Sequence, residues 1–272
     1  MGLGKLGVRI NYGEFLGLLM LSPSLTPWLI AIGLNTVLLA IVWFAPKKLL
    51  TPAGIVHAWI LGVIVWGSLG WRGYLVVVFY FLVGSGITFV GKAQKEAMGI
   101  AEKRSGARGP ENVWGSALIA TVCALGVLLI SLIGQGEKFI PLLLLGYVAS
   151  FCTKLSDTCA SEIGKAYGKR TFLITTLKPV PRGTEGAVSL EGTLAGIVAS
   201  IAIALVAWSV GLISPIGIGL CIVAAFIATN LESVIGATLQ SDFDWMTNEV
   251  VNVFNTLIGA IVAIGLGWAI GI

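Results

Sequence analysis

The sequence predicts an all-α fold: a polytopic helical membrane protein with about seven to nine transmembrane helices. Hydrophobic residues make up 57% of the 272 residues and charged residues only 11%. The charged share is less than half of the roughly 25% found in soluble domains. Apolar runs of about 18 to 22 residues, long enough to cross a bilayer, recur along the chain. Lipid must therefore be the solvent for most of this protein.

The apolar runs define eight predicted spans, near residues 28–45, 52–70, 72–90, 113–134, 139–157, 193–211, 214–231 and 250–271. Residues 1–27 are predicted to be an N-terminal interfacial or re-entrant segment. The run Phe15 to Leu21 is too short to cross alone, and Pro23 and Pro27 interrupt it. Residues 28–272 then form a single transmembrane domain. No secretory signal or transit peptide is evident.

Basic residues predict the orientation. Two spans separate each of the loops around 46–51, 91–112, 158–192 and 232–249 from the next, so all four emerge on one side. They hold Lys47, Lys48, Lys92, Lys95, Lys103, Arg104, Arg108, Lys165, Lys169, Arg170, Lys178 and Arg182. The other side has only Lys5, Arg9, Arg72 and Lys138. By the positive-inside rule, the side that carries more basic residues is predicted to be cytoplasmic. Topology thus explains the net charge of +4, and no nucleic-acid partner is expected.

The four cysteines are predicted to be packing residues, because they fall in or at the ends of apolar spans without a CxxC pair. The single histidine, His57, lies in a different apolar segment from Cys152 and Cys159. A structural metal cluster of cysteine and histidine is therefore not expected.

Acidic residues mark the chemistry, since topology does not require them. Of the 13, all but Glu14 and Glu137 lie in or beside the three longer loops of the basic side. Asp157 and Glu162 directly follow an apolar stretch, and ionisable groups at membrane depth are functional candidates. Being five residues apart, they lie about 140° apart on a continuous helix. An unwound or broken helix would instead bring both onto one cation, and both alternatives stay open.

A glycine-rich stretch from Lys178 to Thr193 places Arg182 and three glycines just before an apolar helix that is predicted to begin near Thr193. Glycines let backbone N–H groups approach an anion, and a helix N-terminus offers unpaired donors to it. The stretch is therefore a candidate phosphate cradle. It lacks the GxxxxGK[ST] order of a P-loop, and a tight turn at the helix entry explains the same glycines.

Asparagines recur at about helical spacing where the last span begins, at Asn248, Asn252 and Asn255. Such a stripe holds membrane helices together by hydrogen bonds. Amide and carboxylate oxygens equally suit Mg²⁺, which proteins usually bind through one or two carboxylates plus substrate phosphates. Carboxylates, amides and cations on one membrane face thus favour a polyanion with its metal ion.

Several motifs carry a resemblance to a known family. They are Lys92-Ala-Gln-Lys95, Arg108-Gly, Glu111-Asn112-Val, Ser156-Asp-Thr-Cys-Ala-Ser-Glu162-Ile-Gly, Gly183-Thr-Glu-Gly-Ala-Val-Ser189-Leu-Glu-Gly-Thr193, Glu232-Ser-Val-Ile-Gly-Ala-Thr-Leu-Gln240 and Thr247-Asn248. From about Thr51 to the C-terminus the chain resembles an integral membrane family, long catalogued as a domain of unknown function, that includes plant and cyanobacterial phytyl-phosphate kinases. Glu185 and Glu232 depart from its pattern, which more often has asparagine and aspartate there.

The resemblance implies phosphoryl transfer from a nucleoside triphosphate to an isoprenoid monophosphate, giving the diphosphate, with Mg²⁺ as cofactor. Similarity to polyprenol kinases implies CTP as the donor and phytyl or geranylgeranyl phosphate as the acceptor, in tocopherol biosynthesis. A phosphate monoester is already ionised near neutral pH, so no general base is needed. The resemblance further implies catalytic loops on the cytoplasmic face of a plasma or thylakoid membrane, and it leaves the oligomeric state open.

The resemblance also implies roles for individual residues. Catalytic roles fall to Asp157, Glu162, Lys92 and Arg182, and Mg²⁺ ligation falls to Asp157, Glu162 and Glu232. Nucleotide and phosphate binding fall to Lys95, Asn112, Lys165, Gly183, Gly186, Ser189, Gln240, Asn248 and Asn252. The prenyl tail is expected between the helices, where span glycines such as Gly62 leave room.

Other functions remain open. Polar residues that interrupt spans also occur in transporters, where broken helices bind ions near the midplane. The clustering of charge toward one face and the lack of an obvious inverted repeat favour the kinase. Carboxylates at the bilayer centre with access from both sides would favour transport. A prenol kinase or a cytidylyltransferase would need the same metal and nucleotide, and the mass of the product separates these enzymes.

Overall fold

The computed structural model describes residues 25–240 and 242–272. The predicted N-terminal segment lies almost entirely outside these residues. The helices are α1 (Thr26–Phe44), α2 (Pro52–Thr88), α3 (Lys92–Ala97), α4 (Pro110–Ile133), α5 (Ile140–Tyr167), α6 (Leu190–Ser209), α7 (Pro215–Thr238) and α8 (Asn248–Ala269). In the described part of the chain, seven of these are long and apolar enough to cross a membrane. The predicted class, a polytopic helical membrane protein, is confirmed.

Helix starts follow ordinary capping chemistry. Proline occupies the first turn of five helices, where its missing N–H leaves no bond unmade; these prolines are Pro27, Pro52, Pro110, Pro141 and Pro215. A hydroxyl side chain at the N-cap accepts a backbone N–H at the start of four helices, from Thr51, Ser189, Ser214 and Thr247.

Helix α2 is divided at Gly70, which adopts φ 65°, a conformation that glycine enters without steric cost. The rings of Trp66 and Tyr74 lie 5.2 Å apart. Residues eight apart on a straight helix would be separated by about 12 Å along the axis. The chain therefore turns back at Gly70. The two parts, 52–69 and 71–88, agree with the predicted spans 52–70 and 72–90, so the seven described helices supply eight apolar segments.

Helix α5 is the centre of the bundle and packs against α2, α4, α6, α7 and α8. Of its most apolar window, 72% is buried, against 11% for α1. The predicted span ended at residue 157, whereas the helix continues without a break to Tyr167. No proline follows Pro141 in this helix, so nothing in the backbone stops it. Of the two arrangements left open for Asp157 and Glu162, the structure therefore has the continuous helix.

The loops at 45–51, 89–109, 168–189 and 239–247 gather at one end of the bundle, which we call the polar end. Thr51 donates its N–H to the carbonyl of Arg108, and Lys47 lies 4.2 Å from the centre of the Phe89 ring. The loop before α6 contains a short antiparallel sheet, formed by β1 (Thr171–Leu173) and β2 (Ala187–Ser189). The sequence pattern did not predict this sheet. The grouping of the loops agrees with the predicted topology, while their cytoplasmic orientation stays a prediction.

Candidate active site

The polar end contains a cluster of charged side chains built around the second half of α5. This helix carries Lys154, Asp157, Glu162 and Lys165, and the first two lie about three turns before its end. Helices α7 and α8 approach the deeper part of this set, and α3 approaches the outer part. The cluster thus has an inner and an outer half, which share one helix.

The inner half is formed by Lys154, Asp157, Glu232 and Asn252. The Lys154 ammonium donates to Asp157 Oδ2 at 2.6 Å and to Asn252 Oδ1 at 2.7 Å. The side chains of Lys154 and Asp157 are only 9% and 13% exposed. Glu232, near the end of α7, lies close enough to Asp157 for the two carboxylates to interact. Two adjacent carboxylates with one lysine leave a net negative charge, which favours a proton or a divalent cation between them.

The outer half is formed by Lys95, Glu102, Glu162 and Lys165. Lys95 forms an ion pair with Glu162, and the two side chains are 1% and 2% exposed. Lys95 also donates to the Thr88 carbonyl at 2.8 Å. Lys165 lies 3.1 Å from Glu102 and 3.8 Å from Glu162. The buried pair attaches the short helix α3 to α5.

Glu102 lies outside the helices, and both burial and neighbouring charges affect the pKa of its carboxyl. Burial raises the pKa of its carboxyl, but the Lys165 ammonium, together with Glu162 and Lys154, outweighs burial and leaves that pKa below the ordinary value for glutamate. Glu102 is therefore ionised at neutral pH and holds Lys165 at the rim of the cluster.

The predicted metal ligands are divided between the two halves. Asp157 and Glu232 come together, whereas Glu162 faces Lys95. Within the described residues, no group of three or more His, Cys, Asp or Glu side chains is arranged to hold a metal ion. A pair of carboxylates fits Mg²⁺ nonetheless, because this ion takes further oxygens from phosphates and water. The site thus fits a metal that arrives with a nucleotide.

The glycine-rich stretch packs against its neighbours. Gly183 and Gly186 have φ 82° and 72°, and a Cβ on Gly186 would lie 2.5 Å from the Ser233 carbonyl oxygen on α7. Arg182 donates to the Ala166 carbonyl at 3.1 Å. Ser189 caps α6, which begins at Leu190 instead of the predicted Thr193. These contacts give the two glycines a packing role, and phosphate binding by Gly183, Gly186 and Ser189 stays a prediction.

The predicted nucleotide-binding amides lie at the polar end, where their hydrogen bonds within the described part of the chain go to groups other than the inner carboxylates. Asn112 donates to Glu249 Oε1 at 3.1 Å and accepts the Gly109 N–H at 3.0 Å. Gln240 donates to Asn248 across the loop before α8. Of these amides, Asn252 belongs to the inner half, where it accepts a hydrogen bond from Lys154.

Lys92 lies at the exposed rim of the cluster. Its ammonium is 3.5 Å from Glu96, and the two side chains are 34% and 54% exposed. An exposed pair of this kind contributes little free energy, so Lys92 can leave Glu96 for a phosphate.

The sequence patterns did not assign a site role to three residues: Lys154, Tyr80 and Arg108. A lysine that continues an apolar stretch three residues before Asp157 is a signal that could have identified Lys154, since i and i+3 share a helix face. Arg108 Nη1 donates to the Tyr80 hydroxyl at 2.8 Å. That contact joins residues 28 apart in the chain, and no local pattern indicates it.

The cysteines are free and buried, as predicted for packing residues. His57 accepts a hydrogen bond from Trp114 at its Nδ1, at 2.8 Å. The histidine therefore connects α2 to α4. It lies far along the chain from the residues of the charged cluster.

Comparisons with known proteins agree with the motifs. The profile of the integral membrane protein family DUF92 matches residues 35–260. The uncharacterized membrane protein sll0875 of Synechocystis is 65% identical over 88% of this chain and 91% of its own length. Protein VTE6 of Arabidopsis thaliana, a chloroplastic protein, is 52% identical over 79% of this chain and 64% of its own length. The uncharacterized membrane protein MJ0933 of Methanocaldococcus jannaschii is 30% identical over 80% of this chain and 86% of its own. No solved structure matches significantly.

Proposed function

We propose that this chain, which belongs to the integral membrane family DUF92, transfers a phosphoryl group from a nucleoside triphosphate to an isoprenoid monophosphate. The proposed donor is CTP. The product is the isoprenoid diphosphate. The motif resemblance to phytyl-phosphate kinases supports this proposal, as does the strong similarity to one cyanobacterial and one chloroplastic protein. The same similarities support a thylakoid or plasma membrane as its location.

One observation carries the proposal: the pair of carboxylates, Asp157 and Glu232, held beside Lys154 at the polar end of a membrane bundle. Phosphoryl transfer requires little covalent chemistry from the protein, which has to hold two polyanions in line and stabilise charge. Paired carboxylates for Mg²⁺ and a neighbouring ammonium for phosphate oxygens are the groups this task needs.

The proposed reaction balances without a base or a further reactant. An oxygen of the acceptor monophosphate forms a bond to the γ-phosphorus of the donor, and the bond from that phosphorus to the β,γ-bridging oxygen breaks. The nucleoside diphosphate leaves with the electron pair. Because the acceptor oxygen is already ionised, the absence of a histidine near the cluster poses no difficulty.

The residues of the inner half each have a task in this scheme. Asp157 and Glu232 would hold Mg²⁺, which supplies charge neutralisation for the β- and γ-phosphates. Asn252 holds the Lys154 ammonium from the α8 side, so this cation keeps its place if Asp157 turns toward the metal. Lys92 at the exposed rim is available to the nucleotide phosphates.

Transport is less well supported, because the carboxylates belong to the polar end. Asn252 lies in the second turn of α8, and Glu232 lies within two turns of the end of α7. The inner half is therefore close to one mouth of the bundle, the arrangement that favours an enzyme acting from one side.

The test uses the purified full chain in detergent with Mg²⁺, geranylgeranyl or phytyl monophosphate, and each of the four nucleoside triphosphates. Mass spectrometry identifies the product. We expect isoprenoid diphosphate from the parent, no product in EDTA, and a loss of at least about 100-fold in Asp157→Asn and Glu232→Gln, the usual scale for removing a group that stabilises transition-state charge.

Glu137→Gln is the matched control, because Glu137 is an exposed carboxylate at the other end of the bundle. It should leave the rate unchanged. In a parallel reaction with the free prenol as acceptor, formation of the monophosphate would instead indicate a prenol kinase. A CDP-linked lipid formed from the monophosphate would indicate a cytidylyltransferase. Absence of product with every nucleotide would overturn the proposed function.

A further inference from the structure

An apolar groove opens among α1, α2 and α4, with a cavity volume of about 100 Å³. Most of its lining residues are aliphatic or aromatic. Its walls include Leu39, Ala58, Leu61, Val78, Phe81 and Ala117. Gly62, one of the glycines expected to leave room for a prenyl tail, also lines it.

The two ends of the groove differ in polarity. Arg108 and Asn112 line it at the polar end, while Asn35 and Tyr74 line it deeper. Asn35 lies nine residues before the end of α1, so the floor is about 13 Å below the polar end. Its side-chain oxygen accepts the Tyr74 hydroxyl at 3.0 Å, and its amide donates to the Ala31 carbonyl at 2.8 Å. The floor is therefore closed by groups that already satisfy each other.

Arg108 presents unused charge at the mouth. Among the described residues it forms no ion pair, and its one side-chain hydrogen bond donates to Tyr80 at 2.8 Å. Its backbone is fixed by bonds to Leu49 and Thr51, which hold the guanidinium over the Tyr80 and Phe81 rings. A fixed planar cation with free donors is well suited to a phosphate group.

We propose that the groove holds the proximal part of the isoprenoid chain and that Arg108 binds the phosphate of the acceptor. This assignment rests on the proposed function and adds the location of its substrate. The phosphate would lie near the inner half of the cluster, because the Tyr80 ring lies 5.3 Å from the ring of Phe151, which is three residues before Lys154 on α5. An apolar groove with a cation at its mouth matches an anionic head on an apolar tail.

The size of the groove indicates how much of the chain it holds. Ligand pockets that enclose their ligands measure roughly 300–1,000 Å³, several times the volume here. The groove therefore holds the units nearest the phosphate, and the remainder of the chain extends along α1 into lipid. Much of α1 is apolar and exposed, with Ile41 at 63% and Val37 at 60%.

The test is photoaffinity labelling of the full chain with geranylgeranyl monophosphate that carries a diazirine on its second isoprene unit, followed by peptide mass spectrometry. We expect labels on groove residues of α1, α2 and α4. Val78→Trp fills the groove and should reduce labelling at least threefold. Val122→Trp adds the same side chain on the lipid-facing side of α4, where Val122 is 57% exposed, and should leave labelling unchanged.

Arg108 is tested with Arg108→Gln and Arg108→Lys. Labelling should fall at least threefold in the glutamine variant and should be partly restored by lysine, because lysine keeps the charge without the planar fork. A groove that takes apolar chains without recognising the head predicts instead that geranylgeraniol with the same diazirine, which lacks the phosphate, labels equally well and that Val78→Trp reduces labelling by both probes. That result, or labels outside the groove, would overturn the assignment.

The outcomes separate the two proposals. Labels in the groove without diphosphate formation from any nucleotide would retain the binding site and reject the kinase. Diphosphate formation with labels elsewhere would retain the kinase and reject the groove.

Discussion

The ion pair between Lys95 and Glu162 should prove structural, although both residues were predicted to act on phosphate or metal. The two side chains are 1% and 2% exposed, and Lys95 is fixed by a second bond to the Thr88 carbonyl. Glu162→Leu leaves the Lys95 charge buried without its partner, and Lys95→Met leaves the buried Glu162 with only Lys165, at 3.8 Å. The double variant removes both charges together and leaves apolar groups of similar volume.

The structure sets the expected magnitudes. Breaking a buried pair at one side costs about 3–5 kcal/mol, whereas replacing both partners by apolar groups is often neutral. At about 2–4 °C per kcal/mol for chains approaching this size, each single variant should unfold roughly 6–20 °C lower than the parent. The double variant should recover most of that loss.

The four buried free cysteines provide the assay, because a thiol-reactive fluorophore reports their exposure as the protein unfolds. Lys92→Met and Glu96→Gln are the matched controls: they break an exposed pair on the same short helix. Their effect should stay below about 0.5 kcal/mol. If the double variant is as unstable as the sum of the single variants, or if the stable double variant has lost all kinase activity, the structural assignment is wrong.

Two further predictions concern stability. Glu102 has a lowered pKa in the folded chain, so its contribution is present above the unfolded-state pKa near 4.5 and is lost as the pH falls through the lower folded-state value; the stability difference between the parent and Glu102→Gln should therefore disappear in acid, and a difference that grows in acid would contradict this sign. Gly70→Ala should destabilise by about 1–3 kcal/mol, because Gly70 has φ 65° and ψ −161°, a backbone conformation essentially restricted to glycine, with open space around it. Gly219→Ala, in helical backbone with equal space, should not destabilise in the same thermal assay.

Local patterns were sufficient to predict the fold, because each membrane-spanning segment has to be apolar and to form its own backbone hydrogen bonds. Hydrogen bonds within helices are compulsory in lipid, so apolar length alone indicates a span. The turn at Gly70 was located to within one residue, since a glycine interrupts an apolar run that is too long for one crossing. The extension of α5 to Tyr167 was missed because hydropathy falls where the charged residues begin, although the helix continues.

The sequence predicted which regions of the chain form the site, but it did not predict which side chains contact each other there. Charge at the membrane edge identified the loops that gather at the polar end. Residue chemistry alone could not show that Glu162 would face Lys95 while Glu232 would face Asp157, because those contacts join residues 67 and 75 positions apart. Tertiary contacts of this range depend on the packing of α3 and α7 against α5, which no window of the sequence contains.

The charge balance of the cluster decides which cations are available to phosphate. Its three lysines, Lys95, Lys154 and Lys165, face four carboxylates, so the cluster taken alone is slightly negative. Two polyanions would be repelled by such a site unless positive charge came from elsewhere. Mg²⁺ at Asp157 and Glu232 would reverse the sign of the inner half. Phosphates can then bind Arg108 and Arg182, which form no salt bridge among the described residues, and Lys92, whose pair with Glu96 is exposed, without breaking a buried pair.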